Sequence, residues 1–316
     1  MDIPLFDAHC DTASAIWNKS LPLRKNTLHT DLVRRMSYAP CAQFFAFFAQ
    51  GADAPVKYRN QLNYFKSQAA ENKDLIIICR THKEAEDAFS SGRTAAFLAI
   101  EGAELLNCSE TELKKAHDEG IRSVNITWNF ENVLSGSNSE GADKGLTDRG
   151  KSFVKRCQEL GMLIDMSHIS EKAFWDAYEL GGTMFASHSN SSAVWPHSRN
   201  LTDAQFRALA ETGGVAGLNL YSRFLGEDPD TDTVVAHAEH FLSLGGENAL
   251  CIGADFDGCD ELPRKINGID DMSCLYEAFL RRNYNESLVR NIFFNNLFAL
   301  LERTLNNEIC QHEKHK

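Results

Sequence analysis

The chain has 316 residues, with 32 Lys plus Arg against 44 Asp plus Glu and a formal charge of -12. At 43% apolar and 24% charged residues, with 20 Gly and 7 Pro, it has the make-up of an enzyme-sized globular protein, which excludes the disordered and fibrous classes. The acid excess argues against a surface built to neutralise nucleic-acid phosphates or an anionic membrane leaflet, so neither is expected as a partner.

Taken in chain order, short runs rich in Ile, Val, Leu, Ala and Phe fall at 5–9, 42–48, 75–79, 95–101, 123–128, 163–168, 184–188, 215–220 and 250–255. Helical patterns fill the gaps at 55–72, 109–119, 147–160, 170–180, 202–212, 231–244 and 285–305, several of them opening on Ser, Thr or Asn as N-caps should. Strand-like runs alternating with amphipathic segments are the sequence form of βα units around a parallel sheet. The expectation is an α/β fold, a (β/α)8 barrel with an extra strand and C-terminal helices. A closed barrel uses eight strands, and the run at 75–79 is assigned outside it because no polar residue of catalytic type ends it. No fixed-period repeat or Pro/Gly-rich linker divides the chain, so 1–316 reads as one domain.

Nine cysteines, at 10, 41, 79, 108, 157, 251, 259, 274 and 310, are odd in number and include no CxxC pair, the pattern of reduced thiols. The N-terminus carries no cationic segment, the most apolar stretch is far shorter than the roughly 20 residues needed to cross a bilayer, and the tail 311–316 is polar. The expectation is a cytoplasmic protein.

Five of the eight barrel runs end in a residue able to bind metal or move a proton: His9 with Asp11, Glu101, His168, His188 and Asp255. In a parallel barrel these ends open onto one face, where barrel enzymes build their sites. His9 and Asp11 form a His-x-Asp pair on one side of a strand. Glu101 closes an apolar run, where a carboxylate is costly to bury unless paired or coordinated; Glu104, beyond Gly102, is a competitor in the loop. Two successive runs end in Ser-His, at His168 and His188, and neutral imidazole is a good zinc ligand. Asp165, Ser167 and Ser187 are candidates to hold the second ring nitrogens.

Of Asp255 and Asp257, the first is better placed to face the barrel mouth. Arg199, in the loop after His188, could hold a carboxylate through two parallel hydrogen bonds. Singly, each has a plain structural reading, from an incidental His-x-Asp to a solvated arginine. Convergence on one face is what points to a metal site. His29, His82, His117, His237, His240, His312 and His315 are read as structural or tail residues, and His197 as a residue of the pocket rim. No G-x-G-x-x-G or Walker sequence follows a strand and no G-x-S-x-G is present, which leaves nucleotide binding and serine hydrolysis unsupported.

In these residues the chain resembles the membrane (renal-type) dipeptidases, zinc peptidases with an amidohydrolase-like barrel, and in particular their soluble bacterial members. The segments that carry the resemblance are 6–11 (FDAHCD), 100–102 (IEG), 164–168 (IDMSH), 187–189 (SHS), 198–200 (SRN) and 253–258 (GADFDG), in the family's order. The resemblance implies two zinc ions, with His9 and Asp11 on one, His168 and His188 on the other and Glu101 bridging them. It assigns Arg199 to the C-terminal carboxylate of a dipeptide and Asp255 to proton transfer, with peptide-bond hydrolysis by a metal-bridging hydroxide.

Thr127-Trp128 stands where mammalian members carry Thr-His; Trp128 enters as a substrate-binding candidate, with Asn129 and Asn132 as the other groups able to orient a carbonyl. The family's late Gly-Gly-Asn segment is altered to Phe294-Asn295-Asn296. Members are often homodimers, and no interface is legible in the sequence. Two other readings stay open: another amidohydrolase-like enzyme, a deaminase or lactonase, and a catalytically silent binding barrel. Intact residues at all five metal positions argue against the second.

Overall fold

The computed structural model describes residues 3–305; Cys310, His312, His315 and the polar tail lie outside them. Its strands are β1 (Leu5–Cys10), β2 (Cys41–Phe47), β3 (Ile76–Ile78), β4 (Thr94–Glu101), β5 (Ile121–Asn125), β6 (Leu163–Asp165), β7 (Met184–Ala186), β8 (Val215–Leu218) and β9 (Leu250–Ile252). All pair in parallel, and a β2–β4 pairing closes the ring. The closed barrel holds eight strands, and β3 is the extra one, as the sequence predicts. The edge of β4 is shared: residues 94–96 pair with β3 and residues 98–101 with β5.

Helices α1 (Thr12–Asn18), α2 (Leu32–Arg35), α3 (Ala54–Glu71), α4 (His82–Ser90), α5 (Glu110–Asp118) and α6 (Asp148–Glu159) come first. They are followed by α7 (Glu171–Glu179), α8 (Asp203–Glu211), α9 (Thr231–Ser243), α10 (Met272–Arg281), α11 (Glu286–Arg290) and α12 (Asn296–Leu305). The side chains of Ser109, Thr147, Ser170 and Thr202 each accept a backbone N–H of the first turn, so these caps set the starts of α5 to α8. Four helices, α1, α2, α4 and α10, were not predicted. The predicted helix 285–305 is interrupted by a π-helical turn at Asn291–Asn295, after which Asn296 donates to the carbonyls of Glu247 and Leu250 and ties the segment to the start of β9.

Inside the barrel, below the mouth, Phe6, Phe44, Phe97 and Phe185 stack with ring centroids 5.3–5.9 Å apart, and Phe294 closes the base against Phe6 at 6.0 Å. Alanines at 42, 46, 95 and 99 alternate with these rings along β2 and β4, so large and small residues together fill the interior. The outward faces of the same strands meet the helices, as where Phe45 and Phe47 pack on Phe65 of α3. A filled base leaves the strands' C-terminal ends as the open end.

Strand ends are corrected by the structure. His168, His188 and Asp255, predicted to close their strands, lie two or three residues beyond the ends of β6, β7 and β9, and Trp128 lies three beyond β5. The chain must leave sheet geometry there to turn side chains over the mouth: His168 and Asp255 adopt left-handed backbone, φ 71° and 59°. Glu101 ends β4 as predicted.

Candidate metal and catalytic site

His9, Asp11, Glu101, His168, His188 and Asp255 are all buried and meet at the mouth. A bulge in β1 aims the first of them. Between Asp7 and Cys10, β1 spends three steps where β2 spends two, so His9 faces inward although Phe6, three residues earlier, does so as well. Asp11 has already left the strand, at the N-terminus of α1, and its Oδ2 lies 3.4 Å from His9 Nε2.

Glu101 stands at the centre. Its Oε1 is 3.0 Å from His168 Nε2, 3.7 Å from His188 Nε2 and 3.9 Å from His9 Nε2. Two donor sets, His9–Asp11–Glu101 and Glu101–His168–His188, each have ligand atoms within 4.8 Å of one another, and they share Glu101. A third set joins His9 and His188 to Asp255.

The donors suit a divalent cation. His9 Nε2 and Asp11 Oδ1 are buried without a hydrogen-bond partner among the described residues. His168 Nδ1 meets Asn129 Oδ1 at 2.9 Å; an amide oxygen only accepts, so the proton sits on Nδ1 and the Nε2 lone pair faces Glu101 and His188 Nε2. Ser187 Oγ lies 2.6 Å from His188 Nδ1 and orients the second imidazole. Lone pairs of imidazole and carboxylate converging on one point repel one another unless a cation lies between them, and mixed nitrogen and oxygen donors suit a divalent transition-metal ion.

Charge balance gives the same answer. Burial pushes Glu101 well above the usual carboxylate range, with Asp11 adding to it, and pushes Asp255 up to about 6 against the pull of His9. Burial alone would lower His9, but Asp11, Glu101 and Asp255 outweigh it and raise that imidazole to about 10. Burial holds His168 and His188 well below the ordinary histidine value, in the neutral form that binds metal.

Two carboxylates that sequence reasoning did not place as braces tie the site together. Asp7 Oδ1 accepts the backbone N–H groups of His9 and Ala254, joining β1 to the segment that carries Asp255. Asp165 Oδ1 accepts those of Ser167 and Ser187, each next to a candidate ligand. A charged residue within an otherwise apolar strand was the legible signal for both.

Asp255 Oδ2 accepts from Asn219 Nδ2 at 3.1 Å, a partner that the sequence did not signal. Asp257 is occupied elsewhere, by Thr12 Oγ1 at 2.6 Å and the His29 backbone N–H at 2.7 Å, so it braces the loop. Gly258 was also missed: a Cβ there would lie 2.2 Å from Asp11 Oδ2 and 2.4 Å from Asp255 Oδ1, so only glycine lets the main chain pass these carboxylates.

Arg199 is 6% exposed; its Nη2 donates to the His188 carbonyl and its Nη1 to Ser189 Oγ. Its Nε has no partner, and among the described residues no carboxylate pairs with it. Burial lowers its pKa to about 10, against Asp255 and Glu101, and leaves it charged at neutral pH. Phe224 covers it, the ring centroid 5.5 Å from the guanidinium carbon.

Trp128 forms a wall of the mouth, 4.8 Å from Phe48 and 6.1 Å from His168 between ring centroids. Of the two alternatives to it, Asn129 holds His168, and Asn132 donates to Glu104 and the Ile126 carbonyl. The mouth is a cavity of about 310 Å³ lined by Asp11, Glu101, Trp128, His168 and Asp255, together with Tyr221 and Phe224. His197 accepts the backbone N–H of Arg199, and His237 is fixed between Ser191 and Leu225, both structural roles.

The family model described as membrane dipeptidase (peptidase family M19) matches residues 1–313. The chain is 31% identical over 255 residues to an uncharacterized protein in the pqqA 5' region of Klebsiella pneumoniae, covering 77% of this chain and 94% of that one. Among solved structures it is similar to a metallo peptidase from Rhodobacter sphaeroides liganded with a phosphinate mimic of the dipeptide L-Ala-D-Ala, at 26% identity and a TM-score of 0.89, over 96% of this chain and all of that one. It is also similar to the dipeptidase AC of family M19, at 28% identity and a TM-score of 0.87, covering 96% of this chain and 99% of the other. Since the match runs through every residue of the cluster at the barrel mouth, from His9 to Asp255, the chain belongs to the membrane dipeptidases, peptidase family M19.

Proposed function

We propose that the protein holds two zinc ions and hydrolyses dipeptides with a free C-terminal carboxylate. The observation that carries this reading is the position of Glu101 between two donor sets, one with His9 and Asp11 and one with His168 and His188. Bound there, the ions would supply a water whose pKa falls towards about 7 and a Lewis-acid contact for the scissile carbonyl oxygen. The phosphinate dipeptide mimic bound by the Rhodobacter sphaeroides relative supports a dipeptide as substrate. Free thiols at all eight described cysteines support a reducing, cytoplasmic compartment.

The chain's own groups do the rest. Arg199, charged and without a carboxylate partner among the described residues, anchors the carboxylate of the C-terminal residue. A longer peptide places no carboxylate there, which restricts the substrate to two residues. Asp255, beside the mouth, takes the proton of the attacking water and returns it to the leaving amine. Trp128, Phe48 and Phe224 wall the mouth and exclude bulk water, which strengthens every charge interaction inside.

The test is a panel of dipeptides, tripeptides and N-blocked amino acids assayed with zinc-loaded and chelated protein. Dipeptides alone are expected to turn over, and only with metal; ammonia release or lactone opening without dipeptide cleavage would sink the reading. Asp255→Asn is expected to lower kcat by about 10²- to 10⁴-fold with KM little changed. In the wild type, activity falls as pH drops through about 6, where Asp255 takes up its proton, and bound cations would move this limb lower. The limb should vanish in the variant; an unchanged pH profile would remove Asp255 from the role.

A further inference from the structure

Beside the mouth lies a second cavity of about 380 Å³, walled by Phe48, Trp128 and Phe130, with Glu104 among its lining residues. It opens from the mouth, with which it shares Phe48, Glu101 and Trp128. Arg199 lines a different side cavity, joined to the mouth at His168 and sharing no residue with the first. A dipeptide whose carboxylate lies at Arg199 and whose scissile bond lies at Glu101 therefore directs its N-terminal side chain towards Trp128. We propose that this aromatic cavity takes the side chain of the substrate's N-terminal residue and selects a cationic one, arginine or lysine, through Glu104. The proposal rests on the dipeptidase reading above and adds the class of substrate.

Among the described residues Glu104 has no cationic partner. Its Oε1 accepts from Asn132 Nδ2 at 2.8 Å and the carboxylate also faces its own backbone N–H, while no other side chain among the described residues donates to it. No lysine, arginine or histidine pairs with it there either, whereas the cavity's Glu131 is taken by Lys144. Its position depends on Gly102, which has a φ of 97°: a Cβ at that residue would lie 2.8 Å from Glu104 Oε2 and 3.8 Å from the Trp128 backbone nitrogen. Oε2 thus lies on the side of Gly102 that faces the Trp128 backbone, and the Trp128 side chain lines both this cavity and the mouth.

Burial raises the Glu104 carboxyl above its usual range, and a cation against it would relieve that cost. Three aromatic rings add the second element of cation recognition. Trp128 neighbours both Phe48 and Phe130, with centroids 4.8 and 5.6 Å away, and Phe130 is 52% exposed. Aromatic faces attract guanidinium and ammonium groups while packing against the alkyl stem that carries them. An apolar side chain would leave the carboxylate desolvated, and an acidic one would be repelled.

Selectivity is read first, by comparing kcat/KM for Arg-Ala with that for citrullyl-Ala, which has the same shape without the charge, and Lys-Ala with norleucyl-Ala. Each charged substrate is expected to lead its neutral counterpart by about tenfold or more, and Glu104→Gln should bring both ratios to within about twofold of unity. Calorimetry is the second reading and requires no turnover: n-butylguanidinium should bind the metal-loaded wild type at least about tenfold more tightly than Glu104→Gln, and n-butylurea should bind both alike.

Unchanged ratios and affinities in a folded Glu104→Gln protein would overturn the proposal. An equal fall for every dipeptide would overturn it as well, by assigning Glu104 to the α-ammonium group. If no dipeptide is cleaved, the dipeptidase reading fails and the calorimetric comparison alone decides whether the cavity binds a guanidinium.

Discussion

Replacement of Glu101 by glutamine is expected to lower kcat/KM by about 10³-fold or more and to leave fewer than two metal ions on each chain after dialysis. The substitution keeps shape and burial but removes the one carboxylate whose oxygen lies within 4 Å of three imidazole nitrogens. An amide would present a neutral oxygen to one donor set and an N–H donor to the other. Losing several kcal/mol of transition-state charge stabilisation gives a fall of that size. Metal analysis by mass spectrometry and steady-state kinetics check the result; two retained ions with turnover within tenfold of wild type would reject Glu101 as the shared ligand.

Stability separates the metal role from a structural one. In the metal-free protein the buried Glu101 carboxyl has a raised pKa, so the folded state keeps a proton that the unfolded state has released once pH exceeds about 4.5. That contribution to stability is lost as pH rises through the folded pKa. At neutral pH metal-free Glu101→Gln should therefore melt at or above metal-free wild type, while the rise in melting temperature that zinc gives the wild type should shrink in the variant. Loading should weaken as pH falls, since His9, raised to about 10, must give up its proton to bind.

Arg199→Ala is expected to reduce kcat/KM for dipeptides by about 10²- to 10³-fold, mostly through KM, with little effect on C-terminally amidated substrates. Two charge-assisted hydrogen bonds to a carboxylate in a buried setting are worth roughly 3–5 kcal/mol. The guanidinium has the capacity for them, because its hydrogen-bond and ring partners among the described residues are the His188 carbonyl, Ser189 Oγ and the Phe224 ring. Arg199→Lys should recover part of the loss, as a point charge without the planar fork. Equal losses on amidated and free-carboxylate substrates would reject the assignment.

Much of this site could be read before the structure because of what closes the strands. A carboxylate or imidazole after an apolar run is costly unless coordinated, and Glu101, His168, His188 and Asp255 repeat that pattern on one barrel face. The extra strand was equally legible, since the run at 75–79 lacks such an ending; it occupies the lower edge of β4, away from the mouth. Helix starts followed their caps. Those of α1, α4 and α10 were missed although their buried faces are clear once packed: α4 has only Ala85 and Ala88 buried, too few apolar residues to mark a period.

Other features depend on partners distant in the chain. The bulge that turns His9 inward exists only in the register of β1 against β2. Asp255 and Asp257 are equivalent as letters, and their roles part because Thr12 and His29 fill the second while Asn219 reaches the first. Trp128 looked like the loss of a substrate-binding histidine; in place it lines both the barrel mouth and a cavity containing Glu104.

Residue types and their order along the strands were enough to specify a parallel barrel and its donor set, because burial energetics act locally on each apolar run and its polar end. Closure of the ring decided the rest: which carboxylate is shared between two donor sets, which aspartate faces the mouth, and which charged groups among the described residues lack an opposite charge. Those properties are distances between residues as far apart as His9 and Asp255, and they acquire values only when the barrel brings them within a few ångströms.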